Sequence, residues 1–253
     1  YKRQIVLFAG ILWSFGPLVV RHMDSPNLVP WQYIFGRGLT IFILLNLYLY
    51  FEEGKNFYKN YYKIGLSGIV GGSGLGVAMI TFIYSITNTS AAVTLLCLAA
   101  MPFFTALLAF LFLRERISIN VWISIIIATA GILIMAIGNT GEKSLIGFVF
   151  GLTSSIGFSV FSVSLRWRKE TPKFTTVAFA GFFCFVFASI MILSTGQTFF
   201  ATSYNSSLFS LHGFLVCTGL ILYSIGSKAI PAAELTLLSL TEVIGGIFWV
   251  WLP

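Results

Sequence analysis

The sequence predicts an all-α polytopic membrane protein built from two inverted five-helix repeats, with nine transmembrane helices present and the tenth missing. Three observations predict it. Hydrophobic residues make up 57% of 253 positions and charged residues only 9%, whereas a soluble domain carries about 25% charge to cover its surface. Nine apolar runs are long enough to cross the bilayer, which takes about 20 residues for about 30 Å of hydrocarbon. Segments of the first half also recur, in the same order, in the second.

The first run, 4–21, carries Trp13 and Ser14 one turn before Pro17. Pro17 frees a backbone carbonyl and is expected to kink the helix beside an aromatic and a hydroxyl. The second run, 29–51, carries Arg37 between Gly36 and Gly38. A long cationic side chain there is expected to snorkel to the outer headgroups, with pairing to Glu242 or a substrate carboxylate as the alternative. The third run, 64–87, holds "GIVGGSGLG" (68–76). No strand precedes it, so it is no nucleotide fingerprint; small residues let membrane helices approach closely. The fourth run, 90–113, contains Pro102, a second expected hinge, and the fifth is 118–138.

The sixth run, 144–165, holds Ser155, and the seventh spans 174–195. The eighth, 208–227, places His212 near its start; His212 and His22 read as wet interface residues. The ninth, 232–252, holds Glu242. Ten residues of helix place that carboxylate about 15 Å deep, near the midplane. A charge at that depth costs several kcal/mol by most estimates, so Glu242 is expected to bind an ammonium or carry a proton in a wet cavity, with a protonated carboxyl or one hydrogen-bonded to a neighbouring helix end as the alternative.

Lys and Arg in the connections set the orientation. With the N-terminus cytoplasmic, the inner segments hold Lys2, Arg3, Lys55, Lys59, Lys63, Arg114, Arg116, Arg166, Arg168, Lys169, Lys173 and Lys228, and the outer ones only Arg21 and Lys143. The net charge of +7 therefore reads as membrane orientation and not as a nucleic-acid face. Cys97, Cys184 and Cys217 each lie in an apolar run and read as small buried hydrophobes. No removable signal peptide is visible: the first run begins at residue 4 and more spans follow it.

Ala91-Ala92 matches Ala232-Ala233 at an offset of 141, and "TLLCL" (94–98) matches "TLLSL" (236–240) at 142. Gly10, Ser14 and Gly16 fall on Gly151, Ser155 and Gly157, and "YSI" recurs at 84–86 and 223–225. A unit of five spans enters the membrane from opposite sides in its two copies, the arrangement of inverted-repeat transporters with a midplane site. The units are read as 1–139 and 140–253. The second lacks its last helix, so a tenth span is predicted to be missing from this sequence.

The stretch "TSAAVTLLCLAAMPFFTALLAFLFLRER" (89–116) resembles the fourth helix of the drug/metabolite transporter superfamily, specifically the EamA-type ten-helix exporters. It carries small residues at Ala91-Ala92, a Leu-rich run, Pro102 and a closing Glu115. The ninth run resembles the second copy, except that Val243 follows Glu242 where that family often has Pro. The resemblance implies two inverted five-helix units around a cavity lined by helices 1, 3, 4, 6, 8 and 9. It also implies transport of amino acids, other metabolites, nucleotide sugars or drugs.

The expected function is export of small polar or amphipathic metabolites, amino-acid-like solutes first, by alternating access. Export of cationic drugs on the same fold is the alternative, and a receptor or an intramembrane enzyme is a remoter one. Candidate substrate-binding residues are Trp13, Ser14, Tyr84, Ser155, Tyr223 and Glu242, with Arg37 as charge partner and Pro17 and Pro102 as hinges. Tyr84 and Tyr223 are read as gates at the two mouths, or as interface anchors. No catalytic residue, metal or cofactor is expected. The expected partners are a small-molecule substrate, the lipid bilayer and a coupled proton, with no nucleic acid, in a monomer or homodimer. The expected location is a bacterial inner (plasma) membrane.

Overall fold

The computed structural model describes residues 1–115, 142–168 and 170–251, with positions 119–120, 122–123, 126–127, 130–131 and 134 between them. Among the described residues there are eight helices long and apolar enough to cross a membrane. Span 1 is Lys2–Arg21, span 2 Pro30–Asn56, span 3 Gly65–Asn88 and span 4 Ala91–Leu113. Span 6 is Leu145–Trp167, span 7 Lys173–Thr195, span 8 Ser203–Gly226 and span 9 Ala232–Trp249. The fifth run, 118–138, lies outside the described residues apart from the scattered positions above. The chain is an all-α integral membrane protein.

Helix is the form these runs must take, because in hydrocarbon every backbone N–H and C=O needs a partner within the segment. The ends follow local chemistry. Pro30 opens span 2 with its φ already set for helix. The Ser90 hydroxyl accepts the Val93 N–H at 3.2 Å at the start of span 4. Gly196, at φ +67°, closes span 7 in the left-handed conformation that glycine adopts without strain.

Three spans are broken midway. Helix stops at Trp13 in span 1 and at Leu98 in span 4. Each lies four residues before a proline, Pro17 and Pro102, which can neither donate to that carbonyl nor leave it room. Span 9 breaks after Ser239 with no proline nearby. There the Thr241 hydroxyl donates to the Leu7 carbonyl of span 1 at 3.0 Å, and the Ser239 hydroxyl donates to Thr236 O at 2.8 Å. Side chains competing for backbone carbonyls bend helices in this way. Gly10 of span 1 sits on that break, where a Cβ would collide with Thr241. Span 6 runs unbroken, with Phe158 standing 141 residues after Pro17.

The spans pack in pairs. Span 3 lies along span 6, span 2 along span 7 and span 1 along span 8. Span 7 also packs on span 3, and span 2 on span 8. Spans 4 and 9 touch each other and close on spans 6 and 1 respectively. Renumbering 1, 2, 3, 4 as 6, 7, 8, 9 and back maps each of these pairs onto another pair in the set or onto itself.

Polarity is reversed relative to a soluble protein. Phe110, Phe112, Ile190, Leu193, Phe248 and Trp251 face outward, while Ser154, Ser155, Ser159, Ser162 and Ser164 of span 6 are buried. Ser159 donates to Ser155 O at 2.7 Å and to Met101 O of span 4 at 3.1 Å. The bond to Met101 crosses between helices, and such a bond contributes roughly 0.6 kcal/mol in a bilayer. The glycines of span 3 serve close packing: Gly71 meets Ser164, and Gly72 and Gly76 meet Phe179 and Phe183 of span 7.

Candidate functional site

A cavity of about 60 Å³ lies among spans 1, 2, 3, 4, 6, 8 and 9. Its walls are mostly apolar, with Leu75, Met79, Phe82, Met101, Phe158 and Leu220. Its polar atoms come from Trp13, Arg37, Ser154, His212 and Glu242. Each water needs about 10–15 Å³ of such space, so the cavity has room for a few waters and is smaller than a metabolite. A metabolite fits only when the helices move apart.

Arg37 corrects the snorkelling expectation. It is 3% exposed, and its Nη2 donates to Met79 O at 2.6 Å. Its guanidinium carbon stands 5.9 Å from the centroids of both the Tyr33 and Phe82 rings. Its Nε is buried and has no partner. The guanidinium is thus turned inward, onto Met79 and Phe82 of span 3. The flanking glycines let the neighbouring helices pack close to span 2: a Cβ on Gly38 would lie 2.8 Å from Cys184 Cβ of span 7, and one on Gly36 3.1 Å from Phe209 Cβ of span 8.

Glu242 stands just past the break in span 9 and is 8% exposed. It lines the same cavity as Arg37. Arg3–Glu234 at 2.6 Å and Arg166–Glu115 at 2.7 Å are ion pairs; Arg37 and Glu242 do not form one.

His212 also corrects an expectation. It is 2% exposed, ten residues inside span 8, and its Nδ1 shares a hydrogen bond with the Tyr33 hydroxyl at 2.5 Å. The span begins at Ser203, not at 208, because Thr202 caps it by accepting the Asn205 N–H at 3.2 Å. Asn205 is itself consumed by two 3.0 Å bonds to the backbone of Asp24. The polar stretch 203–207 is thus helix, which moves His212 from an edge to mid-span. The cap at Thr202 is the sequence signal that would have found it.

Trp13 lines the cavity, and its indole donates to Val216 O at 3.2 Å. Its neighbour Ser14 is turned away, donating to Ile11 O at 2.7 Å and accepting from Trp249 Nε1 at 3.0 Å. Ser155 is turned away too, donating to Cys97 O at 2.6 Å. The adjacent Ser154 lines the cavity instead and donates to Ala78 O at 2.9 Å. Tyr223, read as a gate or an interface anchor, is fully buried near the end of span 8, 5.5 Å from Trp13 between ring centroids, with its hydroxyl 2.6 Å from Ser162 Oγ. Tyr84 stays outside the cavity, edge-on to Trp31 at 4.9 Å and near Phe150. Pro17 and Pro102 sit at the breaks in spans 1 and 4. The three cysteines are buried and free, and His22 is exposed.

A second polar cluster ties helix ends together away from the cavity. Arg166, near the end of span 6, donates to Glu115 Oε1 at 2.7 Å and to Ile230 O at 2.7 Å. Glu115 Oε2 accepts the Ala232 N–H that opens span 9, at 3.3 Å.

The model of the EamA-like transporter family matches residues 4–137, more than half of the chain. The chain belongs to the EamA-like transporter family. Among curated proteins it is 25% identical over 170 residues to an uncharacterized transporter of Helicobacter pylori, covering 66% of this chain and 55% of that one. It is 28% identical over 172 residues to an uncharacterized transporter of Clostridium kluyveri, covering 63% and 54%. The chain thus spans about half the length of the curated relatives it matches.

Proposed function

We propose that this EamA-family protein carries small zwitterionic, amino-acid-like solutes outward across a bacterial inner membrane by alternating access. The observation that carries the reading is that the guanidinium of Arg37 and the carboxyl of Glu242, both buried, line one cavity from spans 2 and 9 without an ion pair between them. A buried charge in a membrane span is costly unless something meets it. A solute carboxylate on the unpartnered Nε of Arg37 and a solute ammonium on Glu242 would satisfy both. The rings of Trp13, Phe82 and Phe158 would receive an apolar side chain. Planar, forked guanidinium donors suit a carboxylate better than a lysine would.

The mechanism is a rocking of two inverted units about this cavity, hinged at the breaks in spans 1, 4 and 9. The exchange pattern of helix pairs supports it, as do the matched breaks after Leu98 and Ser239, 141 residues apart. The Lys and Arg bias of the connections supports a cytoplasmic N-terminus. The family resemblance supports the outward direction. Glu242 is also the group to exchange a proton for the solute ammonium.

The test is transport in proteoliposomes with a panel of amino acids, sugars and cationic drugs at two pH values. Zwitterions moving, with sugars and carboxylate-free cations left behind, supports the reading. Cations moving while zwitterions do not would replace it with cationic-drug export, in which Arg37 has no solute partner.

A further inference from the structure

Of the side chains that bring polar atoms to the central cavity, Trp13 and Ser154 spend theirs on carbonyls of neighbouring helices. His212 spends only one of its two ring nitrogens. Nδ1 shares the bond with the Tyr33 hydroxyl, and Nε2 has no hydrogen-bond partner among the described residues. We propose that His212 is a specificity-determining residue of this cavity: its Nε2–H donates to the solute carboxylate assigned to Arg37, and the Tyr33 hydroxyl, donating to Nδ1, keeps the proton on Nε2. This role rests on the zwitterion reading above and gives the carboxylate a second donor.

The tautomer follows from how Tyr33 is held. Its ring stacks on Phe209, 4.9 Å between centroids, and Phe209 lies one turn before His212 on span 8. The hydroxyl is thereby fixed on Nδ1 at 2.5 Å. A neutral imidazole has one nitrogen that donates and one that accepts, and the partner of one decides the other. A phenol O–H is a strong donor and a bare imidazole nitrogen a strong acceptor, so Nδ1 accepts and Nε2 carries the proton.

Nε2 is turned toward the break in span 1. A Cβ on Gly16 would lie 3.1 Å from it and 3.6 Å from Cζ of Phe82. The glycine leaves a notch there, and Phe82, on its other side, is the ring 5.9 Å from the Arg37 guanidinium carbon. Arg37 and His212 also share Tyr33, whose ring centroid stands 5.9 Å from the guanidinium carbon and 5.7 Å from the imidazole centroid. Spans 2 and 8 begin on one side of the bundle, where Asn205 bonds Asp24 and Gln32 bonds Thr198 O. At about 1.5 Å per residue, Arg37 lies about 10 Å and His212 about 14 Å along them. Glu242 comes from the opposite side on span 9. The solute carboxylate therefore points toward the side where spans 2 and 8 begin, and its ammonium toward Glu242. A guanidinium alone attracts any anion; a fixed N–H beside it selects a group with two acceptor oxygens.

Two variants separate this role from a structural one. His212→Asn keeps an amide near the Nδ1 position, within reach of Tyr33, and His212→Gln keeps one near the Nε2 position. In proteoliposomes with L-leucine and L-serine as probes, His212→Asn is expected to raise KM about tenfold with the maximal rate little changed. His212→Gln is expected to stay close to the parent. A purely structural imidazole predicts the opposite order, since Gln loses the Tyr33 bond. The chain has two histidines, so a His22→Gln background leaves one imidazole for ¹⁵N NMR in detergent. A proton on Nε2 and none on Nδ1 is expected. The proposal is overturned by a proton on Nδ1, by a parental KM in His212→Asn, or by equal impairment of both variants. If the parent carries neither probe, the zwitterion reading falls and this role with it; parental transport that His212→Asn leaves unchanged removes the role alone.

Discussion

Trp13 and Ser154 stand 141 residues apart and line one cavity, each donating to a carbonyl of the helix packed beside it, Val216 O at 3.2 Å and Ala78 O at 2.9 Å. They fall on one another at the repeat offset proposed from the sequence, but one supplies an aromatic face and the other a hydroxyl. The cavity is therefore asymmetric in chemistry although its framework is regular. Met101 and Glu242 repeat the relation at the same offset, a thioether in one half and a carboxylate in the other.

Gly219 lies so close to the Trp13 indole that an added Cβ would collide with it, 2.2 Å from its Nε1. Gly219→Ala must push the ring toward the cavity. Overpacking of this kind costs about 1–3 kcal/mol. The expected result is a lower melting temperature in detergent together with a raised KM for transport, and a melt shift with KM unchanged would place Trp13 outside the solute's path.

Arg37→Lys keeps a charge but loses the fork that grips a carboxylate, and solute affinity is expected to fall about tenfold or more. Arg37→Gln should shift preference toward amines without a carboxylate. Glu242→Gln should abolish the pH dependence of transport, because the exchanging carboxyl is gone. Uptake of each substrate against pH checks all three.

Tyr33→Phe strands the Nδ1 of His212 in a buried site. The loss of stability should be about 1–3 kcal/mol. A melting curve compared with that of His212→Asn reads it.

Glu115→Gln removes the ion pair with Arg166 at a site where both side chains are largely covered, 21% and 27% exposed. The Ala232 amide loses its charged acceptor at the same time. Hydrogen exchange over 227–235 is expected to quicken about tenfold, the equivalent of about 1.4 kcal/mol. Unchanged exchange would mean the clasp does not hold that end.

The spans were legible because apolar runs of membrane length have few other uses, and the breaks in spans 1 and 4 because proline leaves its mark four residues upstream. The break in span 9 was not legible. It rests on Thr241 reaching Leu7, a contact between residues 234 positions apart. Span 8 was read too short because hydropathy treats 203–207 as loop, while the Thr202 cap makes it helix. That error hid His212. Arg37 was seen, but its inward turn onto Met79 and Phe82 of span 3 is a tertiary contact, which no local pattern reveals. The repeat pointed to Ser14 and Ser155, one position along from the side chains that line the cavity, since helical periodicity fixes a face only to within a residue.

The most direct measurement is chemical access to the cavity. A cysteine at Ser154, in a chain whose Cys97, Cys184 and Cys217 are replaced by alanine, is exposed to a membrane-impermeant thiol reagent from each side of sealed vesicles. Modification from both sides, slowed by a transported zwitterion, is the predicted result. Modification from neither side, or from one side with no protection by any transported solute, would contradict alternating access through this cavity.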